Sequence, residues 1–278
     1  MNTPVIDAWI QIPNRGFLLD PMFDSMRHWP MHWRTLPQQG EGMTPDEAVD
    51  TLRGQGVSKV LAGAWWAPKG PLISNEEVAD AVRRFPDFVV GIGSVDLVRP
   101  MDAVRELRRC VRELGFKGVR VMPWLWGLPP DDRRYYPLYA ECVELDVTFC
   151  TQVGHAGPMG PSEPGRPIPY LDNVAHDFPE LRIVAGRVGF PWVNEMISLM
   201  MKHPNVYVDT SAYKASRYPA ELVNFMQTTG GRRKVLFASN YPMLTPAECL
   251  QDVDELGLDE QTQELFLAGN ARQAFKLA

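Results

Sequence analysis

The sequence predicts a single (β/α)8 barrel, and three observations carry that prediction. Short apolar runs rich in Val, Ile and Phe alternate with amphipathic stretches of helical period, the pattern of βα units wound around a parallel sheet. Eight such runs can be placed, at 4–10, 58–63, 88–93, 118–122, 147–152, 182–186, 205–209 and 234–239. Eight strands separated by helices within 278 residues favour a closed barrel over an open sheet. No linker, low-complexity segment or internal repeat divides residues 1–278, so they read as one barrel domain.

The intervening elements carry their own signals. The connection 11–43 after the first strand holds Phe17, Leu18, Phe23, Trp29, His32 and Trp33; it is too long for a plain turn and is expected to serve as part of a lid. Thr44-Pro45-Asp46-Glu47 is a capping box with proline at the first helical position, and Ser74-Asn75-Glu76-Glu77 repeats the box without the proline. Asp96 is placed to cap the helix that follows it, which runs near 101–114 and stops at Leu114-Gly115, where glycine can take the left-handed conformation. A second long connection, 153–170, is rich in Gly and Pro. Both long connections follow the carboxyl ends of strands, where barrel active sites form.

Composition narrows the function classes. Net charge is −6 without a basic run, which argues against nucleic acid or an anionic membrane surface as partner. The Arg232-Arg233-Lys234 triplet is isolated and reads as a solvated loop. No segment approaches the ~20 apolar residues of a membrane span, and the chain enters its first strand without a leader-like stretch, so a cytoplasmic location is expected. Cys110, Cys142, Cys150 and Cys249 form no CxxC pair and read as reduced core residues; Cys150, at a strand end, is the one to consider as a nucleophile.

With the strands placed, five motifs resemble those of the amidohydrolase-related family, the branch of the amidohydrolase superfamily that includes decarboxylases and hydratases. They are Val5-Ile6-Asp7-Ala8-Trp9-Ile10-Gln11, Gly115-Phe116-Lys117-Gly118-Val119-Arg120, Gly186-Arg187-Val188-Gly189-Phe190-Pro191-Trp192, Val206-Tyr207-Val208-Asp209-Thr210-Ser211 and Val235-Leu236-Phe237-Ala238-Ser239-Asn240-Tyr241-Pro242. Their order and spacing cover essentially the whole chain. The resemblance implies metal-binding histidines on strand one, where this chain has Trp9 and Gln11. It implies a histidine ending strand five, where Gln152 stands unless the register brings His155 there. It also implies a histidine at Arg187 and an aspartate at Asn240. Indole offers no lone pair, guanidinium repels a cation and neutral amides are poor ligands. No tightly bound catalytic metal and no cofactor are therefore expected.

The exchanged residues retain a chemistry of their own. Gln11, Gln152 and Asn240 suit the polar atoms of a substrate, or are satisfied amides in a relic pocket. Arg187 suits a carboxylate or a developing oxyanion, or a salt bridge to Asp7 or Asp209. His155 is placed to move a proton, with Asp7 as a second candidate that can equally anchor its strand. Trp9, Trp65, Trp66, Trp124 and Trp126 fall at strand carboxyl ends, and with Trp29 and Trp33 they suggest a pocket for an aromatic or apolar ligand. The expectation is a metal-independent enzyme performing hydrolysis, decarboxylation or another carbon–carbon cleavage, or cyclisation on a small carbonyl or carboxylate substrate. Two alternatives stay open: a catalytically silent barrel that binds a ligand or partner, and a metal hydrolase with His155 and Asp7 as ligands of a rearranged site. Dimers are common in the family, so the resemblance also raises a homodimer.

Overall fold

All eight apolar runs become strands of one parallel sheet. In the computed structural model, which describes residues 4–26 and 42–278, these are β1 (Ile6–Ile10), β2 (Lys59–Gly63), then, after a hairpin of β3 (Trp65–Ala67) and β4 (Gly70–Ile73), β5 (Val89–Gly93), β6 (Gly118–Val121), β7 (Thr148–Gln152), β8 (Ile183–Gly186), β9 (Val206–Asp209) and β10 (Val235–Leu236). The parallel order is β1-β2-β5-β6-β7-β8-β9-β10. The ring closes where the chain beyond β10 returns to β1: Ala8 N–H donates to the Phe237 carbonyl at 3.0 Å, Asn240 N–H to Trp9 at 2.9 Å and Gln11 N–H to Tyr241 at 2.8 Å.

That seam is clasped by one carboxyl group. Asp7 is fully buried; its Oδ1 accepts from the backbone N–H groups of Ser239 at 3.0 Å and Trp9 at 3.2 Å, and its Oδ2 accepts from the Ser239 hydroxyl at 2.5 Å. Burial pushes the Asp7 carboxyl up to about 7, with Asp209 adding to the rise, while the Ser239 and Trp9 donors hold it down. Three donors on two oxygens make Asp7 the anchor of the strand ends and leave it poorly placed for the proton transfer considered from the sequence.

Helix starts follow the capping chemistry. Thr44 and Ser74 each accept from the backbone N–H three residues on, and Glu47 and Glu77 reach back, before the helices Pro45–Arg53 and Asn75–Arg84. Gly115 adopts φ +72° after the helix Pro100–Arg112. Two expectations fail for local reasons, and one element carries no mark in the sequence. Asp96 accepts from Val98 N–H at 2.8 Å, closing a turn, and Arg99 at the helix start makes no side-chain cap. Lys234 is half-buried and held in place: its ammonium donates to the carbonyls of His203, Pro204 and Val206 at 3.0, 2.7 and 3.1 Å. The antiparallel β3–β4 hairpin was unforeseen, because Trp65-Trp66 and the short run after Gly70 offer too little alternation to mark two strands. Trp29, His32 and Trp33 lie outside the described residues. Among the described residues no helix is long and apolar enough to cross a membrane.

The Asp7 clasp has a pH signature. An unfolded aspartate titrates near ~4 and folded Asp7 near 7, so the folded chain holds the extra proton in between. Its contribution is complete below the unfolded value and is lost as pH rises through about 7. Urea denaturation at a series of pH values is expected to show wild-type stability falling relative to Asp7→Asn from about pH 5 to about pH 8; a difference independent of pH contradicts the assignment.

Candidate functional site

Strand period places Asp7, Trp9 and Gln11 on the inner side of β1. The Trp9 ring lies against Gly186 at the end of β8, where a Cβ would come within 2.7 Å of the indole. Over that ring, 3.6 Å from its centroid, sits the guanidinium carbon of Arg120 from β6. Arg120 reaches across to Gly63 at the end of β2, where a Cβ would lie 2.2 Å from Nη1. Two glycines at strand ends thus make room for a stacked indole and guanidinium in the middle of the barrel.

Arg120 is fully buried, and its Nε and Nη2 have no hydrogen-bond partner. Nη1 approaches the Ile10 carbonyl at 3.5 Å and Gln11 Oε1 at 3.4 Å. No carboxylate among the described residues comes within ion-pair distance. Burial pulls its pKa down to about 10, partly offset by Cys150, Asp209 and Asp7, so it stays charged at neutral pH. Burial pushes the Cys150 thiol up to about 12 despite Arg120, which leaves no thiolate to act as nucleophile.

The Tyr241 carbonyl and the Arg120 contact together orient the amides above the stack. With Oε1 turned to the guanidinium, Gln11 Nε2 donates to Asn240 Oδ1 at 3.0 Å and to the Tyr241 carbonyl at 2.9 Å. Among the described residues the Asn240 amide nitrogen meets only Met243 Sδ, at 3.3 Å, a weak acceptor. Gln11 and Asn240 line a cavity of about 20 Å³ together with Arg187 and Trp65. Phe17, Phe23 and Met26, from the connection after β1, complete its wall. The ring centroids of Phe17, Phe23 and Trp124 stand 5.1, 6.1 and 6.2 Å from that of Trp65.

Arg187 supplies the charge of this cavity. It is 9% exposed, and the salt bridge to Asp7 or Asp209 weighed from the sequence is not formed among the described residues, Asp209 acting on it only at longer range. Burial pulls its pKa down, with Tyr213 and Asp209 acting the other way. Arg187 and Asn240 have φ of +73° and +63°, a left-handed conformation unusual for side chains of this kind and concentrated at functional positions.

Other expected site residues fall elsewhere. Gln152 accepts from Trp124 Nε1 at 2.8 Å and donates to the His155 carbonyl at 3.2 Å, so its amide braces the loop after β7 and does not line the cavity. Trp9 is interior packing, and Trp66 sits on the hairpin with its N–H bonded to Ser94 Oγ at 3.0 Å. His155 lines a separate open groove of about 1300 Å³ with Phe190, Trp192 and Tyr213. Its imidazole is held below the usual range by burial and by Arg187, and is neutral at pH 7. Asp209 Oδ1 accepts from Ser211 N–H at 2.9 Å and Oδ2 has no hydrogen bond of good geometry among the described residues; burial pushes the carboxyl up to about 6, while Ser211, Arg120 and the Arg187 backbone N–H hold it down. Sequence reasoning missed Arg120, although an arginine in the apolar run Gly118-Val119-Arg120-Val121 is itself the signal of a buried cation.

A divalent metal does not fit this donor set. The indole and guanidinium fill the space facing Gln11, Arg187 adds a second positive charge, and among the described residues no group of three or more His, Cys, Asp or Glu converges. Asp7, the carboxylate of the rearranged site considered from the sequence, has both oxygens engaged.

Comparison with known proteins places the chain. A family model for amidohydrolases matches residues 6–277. A 2-keto-4-carboxy-3-hexenedioate hydratase of a Sphingobium species is 27% identical over 87% of this chain and 80% of its own length. A gamma-resorcylate decarboxylase of Rhodococcus jostii is 28% identical over 73% of this chain and 75% of its own. The crystal structure of an uncharacterized TIM-barrel protein from Bordetella bronchiseptica superposes with a TM-score of 0.83 at 24% identity, covering 98% of both chains; that likeness shows the shared fold.

The stack makes Gly63 a sensitive position. Gly63→Ala is expected to cost about 1–3 kcal/mol in urea denaturation through overpacking against Arg120. Gly160→Ala, where a Cβ meets nothing within 4 Å, is expected to stay within about 0.5 kcal/mol. Equal behaviour of the two variants contradicts the packing described.

Proposed function

Since the chain belongs to the amidohydrolase family from residue 6 to 277, we propose that it is a metal-independent lyase acting on a small aromatic or apolar carboxylate held by Arg187. It is an enzyme of that superfamily, whose named relatives include decarboxylases and a hydratase. The observation that carries the proposal is the Arg187 guanidinium: buried, without a carboxylate in ion-pair contact among the described residues, and lining a cavity beside the under-used amide nitrogen of Asn240. Such a cavity presents donors, and a carboxylate answers them with two acceptor oxygens.

Decarboxylation and hydration share a requirement that these residues meet. Each delivers a proton to a carbon while negative charge develops on the substrate next to it. A buried guanidinium stabilises that charge, because it is already in place and need not reorganise. The Asp209 carboxyl, pushed up to about 6 by burial, is suited to hold the proton inside the barrel. His155, neutral at pH 7, is suited to exchange one at the mouth. At about 20 Å³ the cavity takes the polar atoms of a carboxylate and not a ring, so binding an aromatic acid requires the Phe17, Phe23 and Trp65 side chains to move apart.

The reading is tested with purified protein and a panel of hydroxybenzoates, following carbon dioxide release and ring spectra. Turnover by the wild-type protein is expected, with kcat/KM lowered by about 10²-fold or more in Arg187→Met. Turnover retained within about threefold in that variant, or none by the wild-type protein on any acid of the panel, sinks it.

A further inference from the structure

The cavity beside Arg187 has the size of a very small ligand. Its volume is about 20 Å³, a little above the roughly 10–15 Å³ that one water needs. Three polar side chains line it: Gln11, Asn240 and Arg187. Both amide oxygens are already engaged, Gln11 Oε1 with Arg120 and Asn240 Oδ1 with Gln11 Nε2. The Gln11 amide nitrogen is engaged as well, by Asn240 and the Tyr241 carbonyl. What remains is the Asn240 amide nitrogen, which meets only a thioether, and the Arg187 guanidinium. That guanidinium is 9% exposed and makes no hydrogen bond or ion pair among the described residues, Asp209 acting on it only at longer range.

The cavity therefore faces its contents with donors and apolar surface. A water there could accept from the N–H groups but could donate only to the thioethers of Met26 and Met243, which are weak acceptors. An anion uses donors alone, and it supplies the charge that a buried guanidinium requires. Size then selects among anions. Chloride is a single atom only slightly larger than water, whereas sulfate and phosphate carry four oxygens around a central atom. The walls select too: Phe17, Phe23 and Trp65 offer no polar atom in place of the water that a strongly hydrated ion such as fluoride must shed.

We propose that this cavity is a halide site: chloride rests on the Arg187 guanidinium and the Asn240 amide nitrogen in the resting protein, and gives way to the carboxylate of the substrate. This rests on the reading of Arg187 as the carboxylate site, to which it adds a second ligand and a mode of control. Exchange of one monovalent anion for another keeps the charge of Arg187 answered throughout. The aromatic side chains that must part for a ring stay closed over the halide. Chloride consequently competes with the acid, raising KM and leaving kcat unchanged.

Chloride binding is measured with no organic acid present. Thermal unfolding of the full chain is followed as sodium chloride replaces sodium gluconate at a fixed ionic strength of about 0.2 M, so that screening stays constant. The unfolding temperature is expected to rise with chloride and to saturate, as mass action requires for one site, and bromide is expected to act in the same way. Arg187→Met and Asn240→Asp, the second adding a negative charge at nearly unchanged size, are expected to lose the saturable rise, and Arg187→Lys to keep part of it. In crystals of the wild-type protein soaked in bromide, anomalous scattering is expected to place an ion between the Arg187 guanidinium and Asn240 Nδ2. A wild-type unfolding temperature indifferent to chloride, an equal rise in Arg187→Met, or bromide found only on the surface overturns the proposal. With an acid that the protein turns over, about 0.1 M chloride is expected to raise KM at least about threefold at constant kcat; an unchanged KM overturns the competition. The reading of Arg187 fails separately, when Arg187→Met turns over hydroxybenzoates as the wild-type protein does while chloride still stabilises the wild-type chain.

Discussion

The stack of the Arg120 guanidinium on the Trp9 ring, 3.6 Å from the ring centroid, is the constraint on which the rest of the site depends. It occupies the middle of the barrel, so the strands around it must yield, and Gly63 and Gly186 are where they do. It turns the Gln11 amide, which turns the Asn240 amide, and the small cavity under Phe17, Phe23 and Met26 consequently faces its contents with donors. The Tyr241 carbonyl, which accepts from Gln11 Nε2 at 2.9 Å, and the Arg120 guanidinium fix the same Gln11 orientation, so the polarity of the cavity is set twice over.

The electrostatics follow from the same constraint. Four ionisable groups are buried around the barrel's centre, and the two acids have carboxyls pushed up to about 7 and about 6 while the two arginines are pulled down yet remain charged. Burial penalises the charged form of all four. The balance near neutral pH is positive, and it is carried by fixed guanidiniums that cannot release a proton in the working range. A divalent ion would add to a positive field in a place with too few anionic donors. An anionic ligand would relieve it.

The eight strands were legible because each is a continuous apolar run bounded by turn residues, and both capping boxes because their chemistry is local. The barrel mouth was legible as a place, through Gln11, Arg187 and Asn240, since strand ends converge in any closed barrel. What each side chain does there was less so. Gln152 occupies a strand end like Gln11, yet its partners are Trp124 Nε1 and the His155 carbonyl, which only the folded loop brings to it. Trp9 was grouped with the pocket tryptophans because spacing cannot tell a ring inside the barrel from one at its rim. Arg120 was passed over because its strand reads as core, and the absence of a counter-ion is a property of the folded chain.

The central claim is that two buried arginines hold the position that a metal ion would otherwise take. Elemental analysis of protein expressed in metal-supplemented medium and purified without chelators tests it most directly. The account expects zinc, manganese and iron together well below one-tenth of an equivalent per chain; close to one equivalent of any of them, retained through gel filtration, would contradict it.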